Sequence, residues 1–151
     1  METRYFPDKT SAFNLRLEDE SGENWRNAKG VISVELPKIA FDGGEKLLGI
    51  SPVRIFFTGV EDALAVVKAK ETHLRVRAAE QLLGSAGGYT FKGRQHILTV
   101  ERPSVRFSPG ITKCGEYAYA LCEFTVKKYI MTFDGKETLY ASTEEKLLRI
   151  N

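Results

Sequence analysis

The sequence is poor in the residues that build most catalytic and metal sites. Its 151 residues include two histidines and two cysteines, and these do not have the spacing of metal ligands. His73 and His96 fall in different predicted elements, and we interpret both as structural or surface residues. The motifs of phosphate-binding loops, serine hydrolases and zinc proteases are missing. These absences argue against an enzyme and imply neither a cofactor nor a small-molecule ligand.

An excess of one charge and long apolar runs are also missing. The 22 basic and 20 acidic side chains give a formal net charge of +2, without the strong basic field of a nucleic-acid-binding protein. No stretch approaches the ~20 apolar residues of a membrane span. The start METRYFPDKT lacks the apolar segment of a signal peptide. We therefore expect one domain, residues 1–151, that is made and folded in the cytoplasm.

The sequence is instead rich in β-strand patterns. Residues 31–41 and 50–58 alternate apolar and polar positions and predict a long hairpin. Pro37 interrupts the first strand and indicates an edge position or a bulge, because proline has no amide proton for the ladder. The tip of this predicted hairpin consists of Asp42, Gly43, Gly44, Glu45, Lys46, Leu47, Leu48 and Gly49.

Two adjacent leucines make this tip unusual, because loop tips are normally solvated and polar. Either Leu47 and Leu48 fold back onto their own sheet, or they dock on another subunit. Leaving them in water would be unfavourable by about 1.5–3 kcal/mol each, relative to full burial. The sequence leaves both alternatives open.

The segment 59–84 carries mixed signals. Within it, residues 63–70 alternate weakly and predict a strand. Residues 74–83 place apolar side chains such as Leu74 and Ala78 on one stripe, which predicts a helix. The sequence therefore predicts a strand followed by a helix.

The strongest strand signal lies in residues 117–133, which contain neither glycine nor proline. The apolar face changes at Lys127 and Lys128, which predicts a bulge or bend that lets one strand serve two sheets. Asp134 and Gly135 then form a preferred two-residue hairpin turn.

The strand after this turn is expected to pair so that Ile130 faces Leu139 and Tyr129 faces Tyr140. Both faces of the hairpin then carry large apolar groups, whereas a solvated antiparallel sheet has one polar face. We therefore expect a partner to cover part of this surface.

Residues 113–151 resemble the end of the major tail tube proteins of contractile phages and R-type bacteriocins. In that family a K-x-G-E turn opens a long strand, an aromatic-rich segment and a D-G hairpin follow, and the chain ends near an Arg-x-Asn. The matching residues are Lys113, Gly115, Glu116, Tyr129, Asp134, Gly135, Arg149 and Asn151. Residues 36–38 and 52–53 resemble the L-P-K and P-V elements of the family, while the tip at residues 42–49 departs from its Arg-Gly-Gly.

The resemblance implies an all-β fold, similar to a sandwich or barrel. It would contain two packed antiparallel sheets, one flanking helix and a long protruding hairpin. Six subunits would form a ring around a channel, and rings would stack into a tube inside a contractile sheath. The partners would be other copies of the chain, sheath and baseplate proteins, and DNA that passes through the lumen without sequence-specific binding. The protein would reside in the tail of the virion.

In this arrangement residues 42–49 would contact an adjacent subunit or ring. Cys114 lies in a glycine-flanked loop, and in a virion outside the cell it is a candidate for a disulfide between subunits. Cys122 lies in an apolar strand and is predicted to be a buried thiol. Two alternatives remain open. One is the tube or ring protein of a related injection machine, such as a bacteriocin, a secretion system or a non-contractile tail; the other is a soluble β-barrel binding module.

Overall fold

The computed structural model describes residues 3–5, 13–83, 89–110 and 120–151. Within these ranges the chain forms twelve strands and one helix, α1 (Val60–Val67), so the predicted all-β class is confirmed. No helix in the described ranges is long and apolar enough to cross a membrane. The strands are β1 (Thr3–Tyr5), β2 (Phe13–Glu18), β3 (Trp25–Asn27), β4 (Val31–Glu35), β5 (Ile39–Phe41), β6 (Leu47–Ile50), β7 (Val53–Phe57), β8 (His73–Leu83), β9 (Tyr89–Ser108), β10 (Ala120–Phe133), β11 (Lys136–Ser142) and β12 (Leu147–Ile150).

Two long antiparallel strands, β9 and β10, run through a ten-stranded sheet of the described residues and connect its two parts. On its other edge β10 pairs with β7 through residues 120–124 and with β11 through residues 128–133. The first half of β10, the end of β9, β7 and β4 form what we call the narrow sheet. The other part forms the broad sheet, ordered β12-β11-β10-β9-β8-β2-β3, with β1 also paired to β8. β5 and β6 form a separate two-stranded sheet.

The transition between the two sheets is a large irregularity in the β9–β10 ladder. Phe124 opposes Val105, yet Val126, two residues on, opposes Val100. Residues 101–104 of β9 therefore lie opposite a single residue of β10, and such insertions bend a strand. A second register shift, between Val126 and Lys128, leaves Lys127 with no opposite residue on β9, so the irregularity predicted at Lys127 and Lys128 is confirmed.

The hydrophobic core fills the space between the two sheets and α1. From the narrow sheet, Val53, Ile55 and Phe57 point inward and are fully buried. Opposite them the broad sheet contributes the buried side chains Leu15, Leu17, Leu74, Val76 and Leu98. Ala63 and Val66 bring the helix onto this core. Each large side chain stabilises the fold by about 1.5–3 kcal/mol through its burial.

The prediction for the segment 59–84 is wrong in its order, because the helix α1 comes first and the strand β8 follows. In β8, Leu74 and Val76 are buried while Arg75 and Arg77 lie on the other face. That period of two matches a strand, and pairing with β2 and β9 on both sides outweighs the helical propensity of these residues.

Helix α1 is stabilised at both ends by charge. Glu61 and Asp62 lie in its first turn, near the positive end of the helix dipole. Its last turn has no basic residue of its own, but the guanidinium of Arg102 reaches over from β9. Arg102 Nη1 donates to the carbonyl of Val66 at 2.7 Å, and its Nε donates to the carbonyl of Glu71.

The predicted long hairpin is present, with two breaks in its ladder. β4 pairs with β7, β5 pairs with β6, and Pro37 lies between β4 and β5. The alternation places Ile32 on the same face as Val34, but Ile32 lies at a register shift in β4 and is exposed. β6 begins at Leu47, so the turn itself is confined to residues 42–46.

Asp134 and Gly135 form the turn between β10 and β11, with φ angles of 52° and 79°. Both angles are positive, as a type I′ turn requires. The predicted pairs are wrong by one residue, because an extra residue at Thr138 shifts the ladder. The structure pairs Ile130 with Tyr140 and Tyr129 with Ala141.

We predict that Gly135→Val lowers the free energy of unfolding by about 1–2 kcal/mol, because a β-branched side chain resists positive φ. Gly93→Val is a matched control: Gly93 lies in β9 with no positive φ, and an added Cβ meets no atom within 4 Å. Urea denaturation of both variants measures the difference. Equal stability of the two variants would contradict the strain assigned to the turn.

Candidate assembly interface

The hairpin tip is anchored to its own chain. The amide of Leu47 donates to the carbonyl of Lys146 at 3.2 Å, and the amide of Leu148 donates to the carbonyl of Glu45 at 2.8 Å. These bonds join the start of β6 to the segment leading into β12. The hairpin therefore does not leave the domain as a free arm, as the predicted protruding hairpin would.

The two tip leucines have opposite environments. Leu47 is 6% exposed and packs with Ala141 and Leu148, so it belongs to the core of its own subunit. Leu48 follows it in the strand, points the other way and is 62% exposed. The hypothesis that both leucines dock on another subunit is therefore wrong for Leu47, and for Leu48 it stays a prediction.

The other predicted tip residues are exposed, except that Gly49 is half-buried. Asp42 Oδ1 accepts a hydrogen bond from the amide of Gly44 at 3.1 Å, which orders the turn. The Asp134–Gly135 turn precedes β11, whereas the segment that contacts the tip follows β11. Seven strand residues separate them by roughly 20 Å, so the structure does not bring the two predicted segments together. Cys114 lies outside the described residues.

The histidines and the described cysteine have structural partners. Nδ1 of His96 lies 2.5 Å from the hydroxyl of Tyr129, and Nδ1 of His73 lies 3.0 Å from the hydroxyl of Thr72. Burial raises the pKa of Cys122 to about 11, so its thiol stays protonated at neutral pH and is a poor nucleophile. Among the described residues, no group of three His, Cys, Asp or Glu side chains is placed to hold a metal ion.

The narrow sheet has an open edge on each side within the described part of the chain. β4 pairs only with β7. From Val105 to Ser108, β9 pairs only with β10. Such edges present unpaired amide and carbonyl groups that can template another strand. In the broad sheet, by contrast, the outer edge of β12 is met by the tip, through a bridge between Lys46 and Leu147.

A row of four alternating charges crosses the outer face of the narrow sheet. Glu35 on β4 opposes Arg54 on β7, Arg54 opposes Glu123 on β10, and Glu123 opposes Arg106 on β9. We call these four residues the charge row. From one edge to the other, the nitrogen–oxygen distances are 3.3, 3.4 and 3.9 Å.

The charge row contributes little to the stability of the subunit. Its side chains are partly exposed, and the side chain of Arg106 is 89% exposed. Ion pairs in such settings contribute about 0–1 kcal/mol each. The charge row is distinguished by its position in the sheet, because it begins with an acid at one open edge and ends with a base at the other.

The charge row was missed by sequence reasoning. Each of its members is a single charge between two apolar residues, as in Val105-Arg106-Phe107, and this marks a strand with one polar position. That signal is present in four separate segments. Their alignment into one row depends on strand order and register, which single strands do not reveal.

The chain matches no protein-family model and no curated protein sequence. The solved structures that overlay most of it include two of Hcp1. One is a double tryptophan mutant of Hcp1 from E. coli EAEC 042, at 10% identity, covering 93% of this chain and 97% of that chain with a TM-score of 0.47. The other is Hcp1 from Salmonella typhimurium, at 12% identity, covering 91% and 99% with a TM-score of 0.46. At these values the likeness carries no conclusion about what the chain does.

We predict that Leu47→Ser lowers the free energy of unfolding by about 2–5 kcal/mol, because it leaves a cavity beside Ala141 and Leu148. Leu48→Ser, one residue away, serves as the matched control and should change stability by at most about 0.5 kcal/mol. Urea denaturation at low protein concentration measures both values. A large loss for Leu48→Ser, or none for Leu47→Ser, would contradict the opposite environments of the two side chains.

Proposed function

We propose that this chain is the self-assembling tube subunit of an injection machine, with no catalytic site. The observation that carries the proposal is the narrow sheet, whose two outer strands are unpaired on their outer sides in the described part of the chain. Two open edges on one sheet allow head-to-tail association, in which β9 of one copy pairs with β4 of the next. Head-to-tail contacts produce rings when the rotation closes.

The order of the narrow sheet suits this closure. Its four strands are antiparallel throughout, so β4 and β9 run in opposite directions. When copies are placed side by side, the strand at each junction is therefore antiparallel to its neighbour. A closed sheet removes the free edges that would otherwise invite uncontrolled aggregation.

The position of the core decides which face of such a closed sheet lines the channel. The inner face of the narrow sheet, with Ile55, Phe57 and Phe124, is covered by α1 and the broad sheet of its own subunit. That bulk has to lie outside the ring. The opposite face, which carries the charge row, is therefore the channel wall in our proposal.

The dimensions and the charge of this wall fit a conduit. Neighbouring strands are ~4.8 Å apart, so about 24 strands from six copies give a perimeter of ~115 Å and a backbone diameter of ~37 Å before any tilt. The charge row contains two acids and two bases. Because the charge row adds no net charge to the wall, it does not bind phosphate groups strongly. A polyanion would therefore pass without strong retention.

Within this class, the sequence resemblance supports the tail of a contractile phage. The protein would then form the inner tube of the virion tail, surrounded by sheath proteins, seated on a baseplate and open to DNA. Leu48 would contact the adjacent ring, because it is a large apolar residue exposed near the end of the hairpin. A bacteriocin, a secretion system or a non-contractile tail uses the same kind of subunit and is the alternative.

We predict that the purified protein forms rings or tubes of one diameter in negative-stain micrographs. Leu48→Ser should keep the rings but shorten the tubes, with Lys68→Ser, at an exposed residue just after α1, as the control. Particles that stay monomeric at high concentration would favour a soluble binding module. Co-expression with the neighbouring genes then separates the machines, because a contractile tail requires a sheath around the tube.

A further inference from the structure

The two ends of the charge row are complementary. Glu35 lies on β4, at one open edge of the narrow sheet, and Arg106 lies on β9, at the other. Inside the subunit, each of the two middle residues of the charge row has two neighbours of opposite charge. Glu35 and Arg106 each have one neighbour within the row, and Arg106 is both the most exposed member and the one with the longest contact.

We propose that Arg106 of one subunit pairs with Glu35 of the next and that this pair sets the register of the junction between subunits. The proposal rests on the head-to-tail ring proposed above. Each junction then continues the alternation, and the four-residue charge row of one copy becomes an unbroken circle of alternating charges around the channel.

Strand geometry allows this contact. At an antiparallel junction, directly opposed side chains have Cβ atoms ~5 Å apart, and diagonal neighbours remain within reach of long side chains. Arg106 therefore reaches Glu35 when the two residues are opposed or are offset by one pair. A shift by one residue would turn Arg106 and Glu35 toward opposite faces and separate them.

Charged residues on sheet edges have an opposite role in many proteins, where they block pairing with other chains. The pattern here favours association. A blocking design places the same sign on both edges or turns a charge inward, whereas this sheet has an acid on one edge and a base on the other. The two roles predict opposite effects when a charge is removed: Arg106→Gln would weaken a junction that the pair stabilises and would ease assembly at an edge that the charge blocks.

The test compares Arg106→Glu, Glu35→Arg and an equimolar mixture of the two variants. Either variant alone places like charges at every junction, and we expect the concentration needed for half-assembly to rise at least about tenfold. In the mixture, the two kinds of subunit can alternate around a ring of six, so that every junction again has opposite charges. We expect the mixture to assemble nearly as well as the wild type.

Sedimentation velocity at several protein and salt concentrations provides the measurement, and circular dichroism checks the fold of each variant. Arg77→Glu is the matched control, since Arg77 is an exposed arginine on the other face of a strand in the broad sheet. Recovery in the mixture also shows that neither variant is merely misfolded.

The possible results distinguish a failure of the proposed junction from a failure of the proposed tube. Rings that form equally well in the wild type and in both single variants would overturn the junction and leave the proposed tube intact. Easier assembly of Arg106→Gln than of the wild type would show that the charges block pairing at these edges. Wild-type protein that stays monomeric at every concentration would overturn the ring and the junction together.

Discussion

The fold depends on the bend where β9 and β10 pass from one sheet to the other. Four residues of β9 oppose one of β10 between the pairs Val100–Val126 and Val105–Phe124. Without that insertion the two long strands would continue as one twisted sheet, and its apolar face would stay uncovered. The bend folds the narrow sheet over the broad sheet, so that the apolar faces of both enclose one core.

The same bend also positions the helix and the edges. Arg102 lies among the four inserted residues, and its guanidinium holds the end of α1 through the carbonyl of Val66 while it packs over the ring of Phe124 at 5.1 Å. Because β8 stops pairing with β9 before the bend, the end of β9 keeps an open edge in the described chain. The feature that closes the core of the subunit thus also exposes the strand that we assign to assembly.

Local patterns predicted most of the strands, the turn at Asp134 and Gly135, and the irregularity in β10, because each depends on neighbours in the sequence. The segment 59–84 was predicted in the wrong order, since its strand has helix-forming residues and only its pairing on both edges decides the outcome. Two features could not be predicted from the sequence: the opposite environments of Leu47 and Leu48, and the alignment of the charge row. Both depend on contacts between distant segments. Leu47 is buried by contacts with residues 141–148, and the charge row depends on the register of four strands.

Copies of this chain join, in our proposal, through the edges of the narrow sheet. Hydrogen–deuterium exchange, compared between dilute protein and protein under assembling conditions, tests it most directly because exchange reports on backbone amides at these edges. The account predicts that amides in residues 31–35 and 105–108 become protected on assembly, while those in the buried strand β7 change little. Assembly without added protection at either edge, or with protection confined to β3 and β12, would contradict it.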